Sequence, residues 1–229
     1  MATKEKETNK ELEVGEIVSK SEQFIENNSK KIIYGIVALA IIIGAVLGIK
    51  HGYMEPQEKK AAAAMFKGEL YFDRDSFALA LNGNGADYEG FEAIIDQYGN
   101  TDAGNLAKAY AGICYYNMGE PEKALDLLKS FKGKDNMVSP AITGKIGDCY
   151  VEMGNTQEGI SYFEKAAKEA DNDVVSPIYL KKAGLAYESL QQYDKAVQAY
   201  TTIKDKYYTS MEASDIDKYI TRASANMNK

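Results

Sequence analysis

The 229-residue chain is 45% hydrophobic and 10% aromatic, with 17 tyrosines and no tryptophan, which is ample material for a core. Its net charge is −7, and residues 52–229 carry 20 Lys+Arg against 27 Asp+Glu, a balance that argues against nucleic acid as a partner. Two cysteines without a CxxC spacing and a single histidine fall short of a zinc site or a redox motif.

Residues 1–31 form a polar tail in which Val14, Ile17, Val18, Ser21, Phe24 and Ile25 follow a three-and-four spacing. Two readings stay open: a solvated, partly helical tail, or an amphipathic helix that docks on a membrane surface or a partner. From Ile32 to Ile49 there is no charge, and Lys30, Lys31, Lys50 and His51 flank the run. As a helix, residues 32–49 reach about 27 Å, which just spans a bilayer. A cleaved signal peptide would have a shorter leader, a shorter apolar core and a small-x-small site soon after it, so an uncleaved transmembrane anchor is predicted. Gly44 and Gly48 form a GxxxG spacing through which two such helices could associate as a homodimer, although the spacing also arises by chance. Lys20, Lys30 and Lys31 on one side balance Lys50, Lys59 and Lys60 on the other, so charge does not orient the anchor. His51 reads as an interfacial residue.

Residues 50–60, with Pro56, read as a polar connector, and 61–104 as a divergent helical hairpin that caps the rest of the chain. Ala61–Ala80 is expected to be helical, with Ala62, Met65, Phe66, Glu69, Leu70 and Phe72 forming the apolar face. An Asn-Gly-Asn-Gly loop comes next at 82–85, then a second helix over Tyr88–Tyr98. A calcium loop counted from Asn82 puts Asp87 where glycine is needed and Ala93 where glutamate is needed, so that reading fails.

Between Asn105 and Lys206 one pattern is written three times. Gly112, Tyr115, Ala124 and Leu128 stand at the same offsets as Gly147, Tyr150, Gly159 and Phe163, and as Gly184, Tyr187, Ala196 and Tyr200, with periods of 35 and 37 residues. These steps suit a small residue and a tyrosine one turn apart on one helix, then a small and a bulky residue on the next: a tight helix hairpin. The pattern resembles the tetratricopeptide repeat, a 34-residue unit with small residues eighth and twentieth, tyrosine eleventh and an aromatic twenty-fourth. Departures are Lys108, Thr143 and Leu180 at the fourth position, often aromatic in the family, and Gly159 at the twentieth of copy two. Cys114 and Cys149 share the tenth position, where stacked hairpins keep Cα atoms beyond the roughly 7 Å limit of a disulfide, so two free thiols are expected. Ser139-Pro140 and Ser176-Pro177 read as N-cap serines before a first-position proline. Hairpins should break at Gly119, Gly154 and, less sharply, Gln191-Gln192. Ala213, Ile216, Ile220 and Ala223 repeat at helical spacing, so 207–229 reads as a solvating helix and tail that closes the array.

The expected fold is therefore all-α: a tetratricopeptide-type helix-hairpin solenoid preceded by a single transmembrane helix. No nucleophile has a histidine available in the folded region, and the carboxylates alternate with lysines on outward helix faces, so neither an enzyme nor a cofactor is expected. What the architecture supplies is a concave surface for protein or peptide partners. The family resemblance assigns it to the second, fifth, ninth and twelfth positions: Leu106, Ala109, Ile113 and Tyr116; Ala141, Gly144, Asp148 and Val151; Ile178, Lys181, Leu185 and Glu188. Some of these residues could equally serve only to pack neighbouring repeats. With Lys181 the lone base among them, the carboxylate clamp of some family members is not implied.

The whole layout, a charged tail, one anchor, an alanine-rich helix and repeats, is similar to the YfgM-like ancillary subunits of the bacterial Sec translocon. That resemblance implies an inner-membrane protein with a cytoplasmic N-terminus and a periplasmic repeat domain, bound to translocon subunits and handing emerging proteins to periplasmic chaperones. The alternative is a structural adaptor of another envelope complex that binds no client.

Overall fold

A computed structural model describes the backbone of residues 2–227 and the side chains of residues 24–227. The chain divides into two compact units, Met1–Pro56 and Gln57–Lys229. Among the described residues there is no strand. Most of the side chains that would test an amphipathic helix at 14–25 lie outside the described ones.

The first unit is helix α1 (Ala2–Ile49) followed by a π-helical turn at Lys50–Met54. Every side chain from Ile33 to Ile49 is exposed. A buried core helix would be covered, whereas a helix apolar all round and uncovered has the character of a membrane span. The helical stretch from Phe24 is long and apolar enough to cross a membrane. His51 Nδ1 lies 2.7 Å from Glu55 Oε1, one turn on. The residues read as a connector, 50–60, are themselves helical.

Helix α2 (Glu55–Phe72) comes next. Its buried face is Ala61, Met65 and Gly68, whereas Ala62, Phe66 and Leu70, expected to face inward, are exposed. Gly68 decides the rotation. A Cβ there would lie 2.3 Å from the Tyr88 hydroxyl and 2.4 Å from the Phe91 ring, so the small-residue side admits two aromatic rings that the Phe66 side would exclude. The helix expected to reach Ala80 breaks after Phe72, and α3 (Phe77–Asn82) and α4 (Phe91–Tyr98) complete the cap. Tyr88 is not helical: it precedes α4 and donates its hydroxyl to Ala80 O at 2.6 Å. The 82–85 loop closes on Asn84, whose Oδ1 accepts the backbone N–H groups of Ala86, Asp87 and Tyr88.

Three helix pairs complete most of the second unit: α5 (Asp102–Asn117) with α6 (Pro121–Ser130), α7 (Val138–Glu152) with α8 (Thr156–Ala170), and α9 (Ser176–Ser189) with α10 (Tyr193–Lys206). Glu58 of α2 caps α5, its carboxylate accepting the N–H groups of Asp102 and Ala103 at 2.7 and 2.9 Å. In each pair the eighth-position glycine meets the twenty-fourth residue. A Cβ on Gly112 would lie 2.7 Å from Leu128, on Gly147 2.7 Å from Phe163, and on Gly184 2.3 Å from Tyr200. The register written in the sequence is therefore a close helix crossing made three times.

All three hairpins also turn alike. Gly119, Gly154 and Gln191 are left-handed, with φ of 80°, 79° and 58°. The next residue donates its N–H to the carbonyl of the eleventh-position tyrosine in every copy: Glu120 to Tyr115, Asn155 to Tyr150, Gln192 to Tyr187. This is a Schellman closure. Gln191 completes it without being glycine, so copy three is punctuated as sharply as the others.

The first-helix caps differ from expectation. Asp135 caps α7, its Oδ1 accepting the N–H of Met137 at 2.8 Å and its Oδ2 the Ser139 hydroxyl at 2.7 Å. Asn172 caps the turn that leads into α9, its Oδ1 accepting the N–H of Val174 and Val175 and its carbonyl the N–H of Ser176. Ser139 and Ser176 lie inside their helices, and the buried Ser176 hydroxyl donates to Ala167 O at 2.7 Å. Cys114 and Cys149 are buried free thiols, and desolvation pushes them up to about 12 and about 11. A 3₁₀ turn at Glu212–Asp215 leads into α11 (Ile216–Met227), which buries Ile216 and Ala223.

Candidate functional site

The expected concave positions sit on α5, α7 and α9, the first helices of the three pairs. Their burial sorts them. Ala109 and Gly144 are buried; Leu106, Ile113, Tyr116, Ala141, Asp148, Lys181 and Glu188 are half-buried; Val151, Ile178 and Leu185 are exposed. Gly144 lies beneath Tyr179 of the next copy, whose ring would be 1.9 Å from a Cβ there. Tyr179 Oη also donates to Ala141 O at 3.1 Å, so both Ala141 and Gly144 take part in the contact between copies two and three.

The charged positions are each engaged by a neighbouring helix. Asp148 Oδ1 lies 2.7 Å from Lys182 Nζ, and its Oδ2 is 3.2 Å from Lys145 Nζ. Lys181 donates to Asp215 Oδ1 at 3.0 Å and lies 4.6 Å above the Tyr219 ring. Glu188 accepts both Arg222 Nε and Nη2, at 2.9 and 2.7 Å, and the Tyr200 hydroxyl at 2.7 Å. Burial raises the affinity of the Glu188 carboxyl for a proton, but the hydrogen bonds from Arg222 and Tyr200 outweigh it and hold this carboxyl below its ordinary value. Desolvation, assisted by Asp148, pushes the Tyr179 phenol up to about 12.

Three of these pairs, Asp148–Lys182, Lys181–Asp215 and Glu188–Arg222, are separated by 34 residues. Together they form a ladder that cancels charge between successive first helices. The partners Lys182, Asp215 and Arg222 were missed in the sequence, although the 34-residue offset between opposite charges was there to be read. Copy one joins the ladder through Lys145 Nζ, 4.4 Å above the Tyr116 ring.

Among the twelve expected positions, those that are exposed are all apolar. Val151 and Leu185 stand at the same 34-residue offset as Asp148 and Lys182, and both are about two-fifths exposed, as is Ile178, although Val151 also packs against Gly159 of α8. The candidate site is this strip on α7 and α9. Among the described residues there is no cluster of three or more His, Cys, Asp or Glu side chains able to hold a metal.

Family models described as tetratricopeptide repeat match residues 110–135, 144–173 and 180–210, one match over each of the three helix pairs. Among solved structures, the nearly identical TPR-like repeats of a protein described as a Podosopora anserina kinesin light chain superpose with a TM-score of 0.57 at 12% identity, covering 74% of this chain and 87% of that one. The MamA protein superposes with a TM-score of 0.52 at 20% identity, covering 74% and 92%. At such identities the likeness is one of fold. No curated protein matches the chain. The three pairs are tetratricopeptide repeats, and the fold they build is a protein-interaction module.

Proposed function

We propose that this chain is a membrane-anchored binding protein that holds apolar segments of client proteins against the strip Val151, Ile178 and Leu185. The observation that carries the reading is the charge ladder: it neutralises Asp148, Lys181 and Glu188 from within and leaves uncharged side chains facing the partner. Residues 32–49 serve as the anchor and 105–206 as the repeats, with the remaining groove positions supporting the strip. The layout favours a bacterial inner-membrane protein with its repeats in the periplasm, acting beside the Sec translocon and passing emerging proteins to chaperones.

The test is affinity purification of the detergent-solubilised full chain, beside a variant carrying Val151→Ser and Leu185→Ser. Recovery of translocon subunits with both forms, and of client proteins with the wild type only, supports the proposal. Equal client recovery with both forms removes the strip from it. Recovery of a different stable envelope complex without clients would make the chain a structural adaptor. Protease added to spheroplasts should digest the repeats and spare an epitope at Met1. Repeats that survive until lysis would place them in the cytoplasm and end the translocon reading.

A further inference from the structure

A recess of about 500 Å³, open to solvent, lies between the end of α6, the link 131–137, α7 and α8. Its origin is the length of α6. Helix α6 has 10 residues and α8 has 15, so with their first residues aligned, Ser130 stands level with Lys165 and α6 lacks a counterpart of 166–170. In α8 that last stretch buries Ala166, Ala167 and Ala170. In copy one the space stays open, and α7 lines it with Ser139, Ile142, Thr143 and Ile146. Ile142, Thr143 and Ile146 lie roughly half a helical turn away from Gly144, Asp148 and Val151, so the recess is separate from the apolar strip.

We propose that this recess binds a short acidic peptide segment that also presents one apolar side chain. The buried Leu128, Ile142 and Ile146 contribute an apolar lining, and the recess falls within the usual size range of a ligand pocket. Lys129, Lys134 and Lys165 supply the charge. Lys129 Nζ donates to the Tyr150 hydroxyl at 2.7 Å, Lys134 makes no ion pair among the described residues, and Lys165 is 3.7 Å from Glu169. The two carboxylates that line the recess are already engaged. Asp135 accepts the N–H groups that open α7, and Glu169 Oε2 accepts the Thr143 hydroxyl at 2.8 Å. Three lysines against two occupied carboxylates leave this recess positive on a domain that is otherwise acidic. A complementary partner is therefore anionic, and the apolar lining selects a side chain over a bare ion.

The experiment uses the full chain in detergent micelles and an end-blocked pentapeptide, one leucine with two aspartates on each side. A control peptide carries lysines in place of the aspartates. Saturable binding should shift the methyl resonances of Ile142 and Ile146. Affinity should fall at least about tenfold for the lysine peptide and for the double variant Lys134→Glu with Lys165→Glu. Thr143→Phe should abolish binding while the helical circular dichroism stays unchanged, and Val151→Ser with Leu185→Ser should leave it intact, so that this site and the client strip fail independently. Three results would overturn the proposal: no saturable binding, equal affinity for the charge-reversed variant, or the same shifts from citrate at equal affinity, which would make the recess a simple anion site.

Discussion

The junction between copies two and three and the junction between copies one and two share one plan and close to different degrees. Between α8 and α9 the link is 171–175, Val175 and Ser176 are buried, and Asn172 ties the link back to Asn136 O at 2.9 Å. Between α6 and α7 the link is 131–137, and everything in it after Phe131 is exposed. The repeat tyrosines differ in the same sense. Tyr187 donates to Glu164 Oε1 of the preceding pair at 2.7 Å, and Tyr115 donates in the same way to Glu92. Tyr150 has Leu127 at the corresponding place, so it accepts from Lys129 and stacks on Tyr162 at 5.3 Å. Five residues of helix, present in one junction and missing in the other, separate a closed contact from an open recess. In a solenoid each contact is local, so one repeat can depart without disturbing its neighbours.

The largest expected effect lies at the helix crossings. Gly184→Leu drives a side chain into the Tyr200 ring and should cost about 1–3 kcal/mol or more. Gly112→Leu meets the flexible Leu128 on the shorter α6 and should cost less. Thermal unfolding compares the two, and equal midpoints would mean that the two crossings are equally tight. Lys181→Ala removes one partly exposed ion pair and should cost less than either glycine variant.

The caps come next. Asn172→Ala and Asp135→Ala each remove an N-cap, worth about 0.5–2 kcal/mol. Asn172 also bridges to the preceding link, so its loss should be the larger. Urea midpoints in the reverse order would show that the open junction carries more of the stability than its geometry suggests.

The ladder can be tested by pH. Arg222→Ala should cost about 1 kcal/mol at neutral pH, because Glu188 keeps the Tyr200 hydroxyl but loses its charged partner. A depressed carboxyl stabilises the fold above its ordinary pKa of 4.5, and that contribution is lost as pH falls through the lower folded value. The difference between wild type and Arg222→Ala should therefore shrink below pH 4.5. A difference that stays constant in acid would exclude the Glu188 pair as its source.

The smallest effect should be a gain. Gln191 holds a left-handed conformation that glycine adopts without strain, so Gln191→Gly should stabilise copy three by up to about 1 kcal/mol. A lower melting temperature would mean that the Gln191 side chain contributes more than its backbone costs.

The sequence by itself determined the repeats. Gly112, Gly147 and Gly184 name the crossings, Gly119, Gly154 and Gln191 mark the turns, and the spacing of Ile216, Ile220 and Ala223 gives the closing helix, because each is a local property that every copy restates. The uncharged run 32–49 was equally plain. Only the tertiary structure decided what those helices meet. The Ala61, Met65 and Gly68 face of α2 won over the more hydrophobic Phe66 face because two aromatic rings needed room. Glu58 caps a helix more than forty residues away, Asp135 and Asn172 displaced the serines as caps, and the groove charges found partners one repeat on. Periodicity fixes which residues share a face, but which face is buried, and against what, depends on the shape and charge of elements distant in the chain.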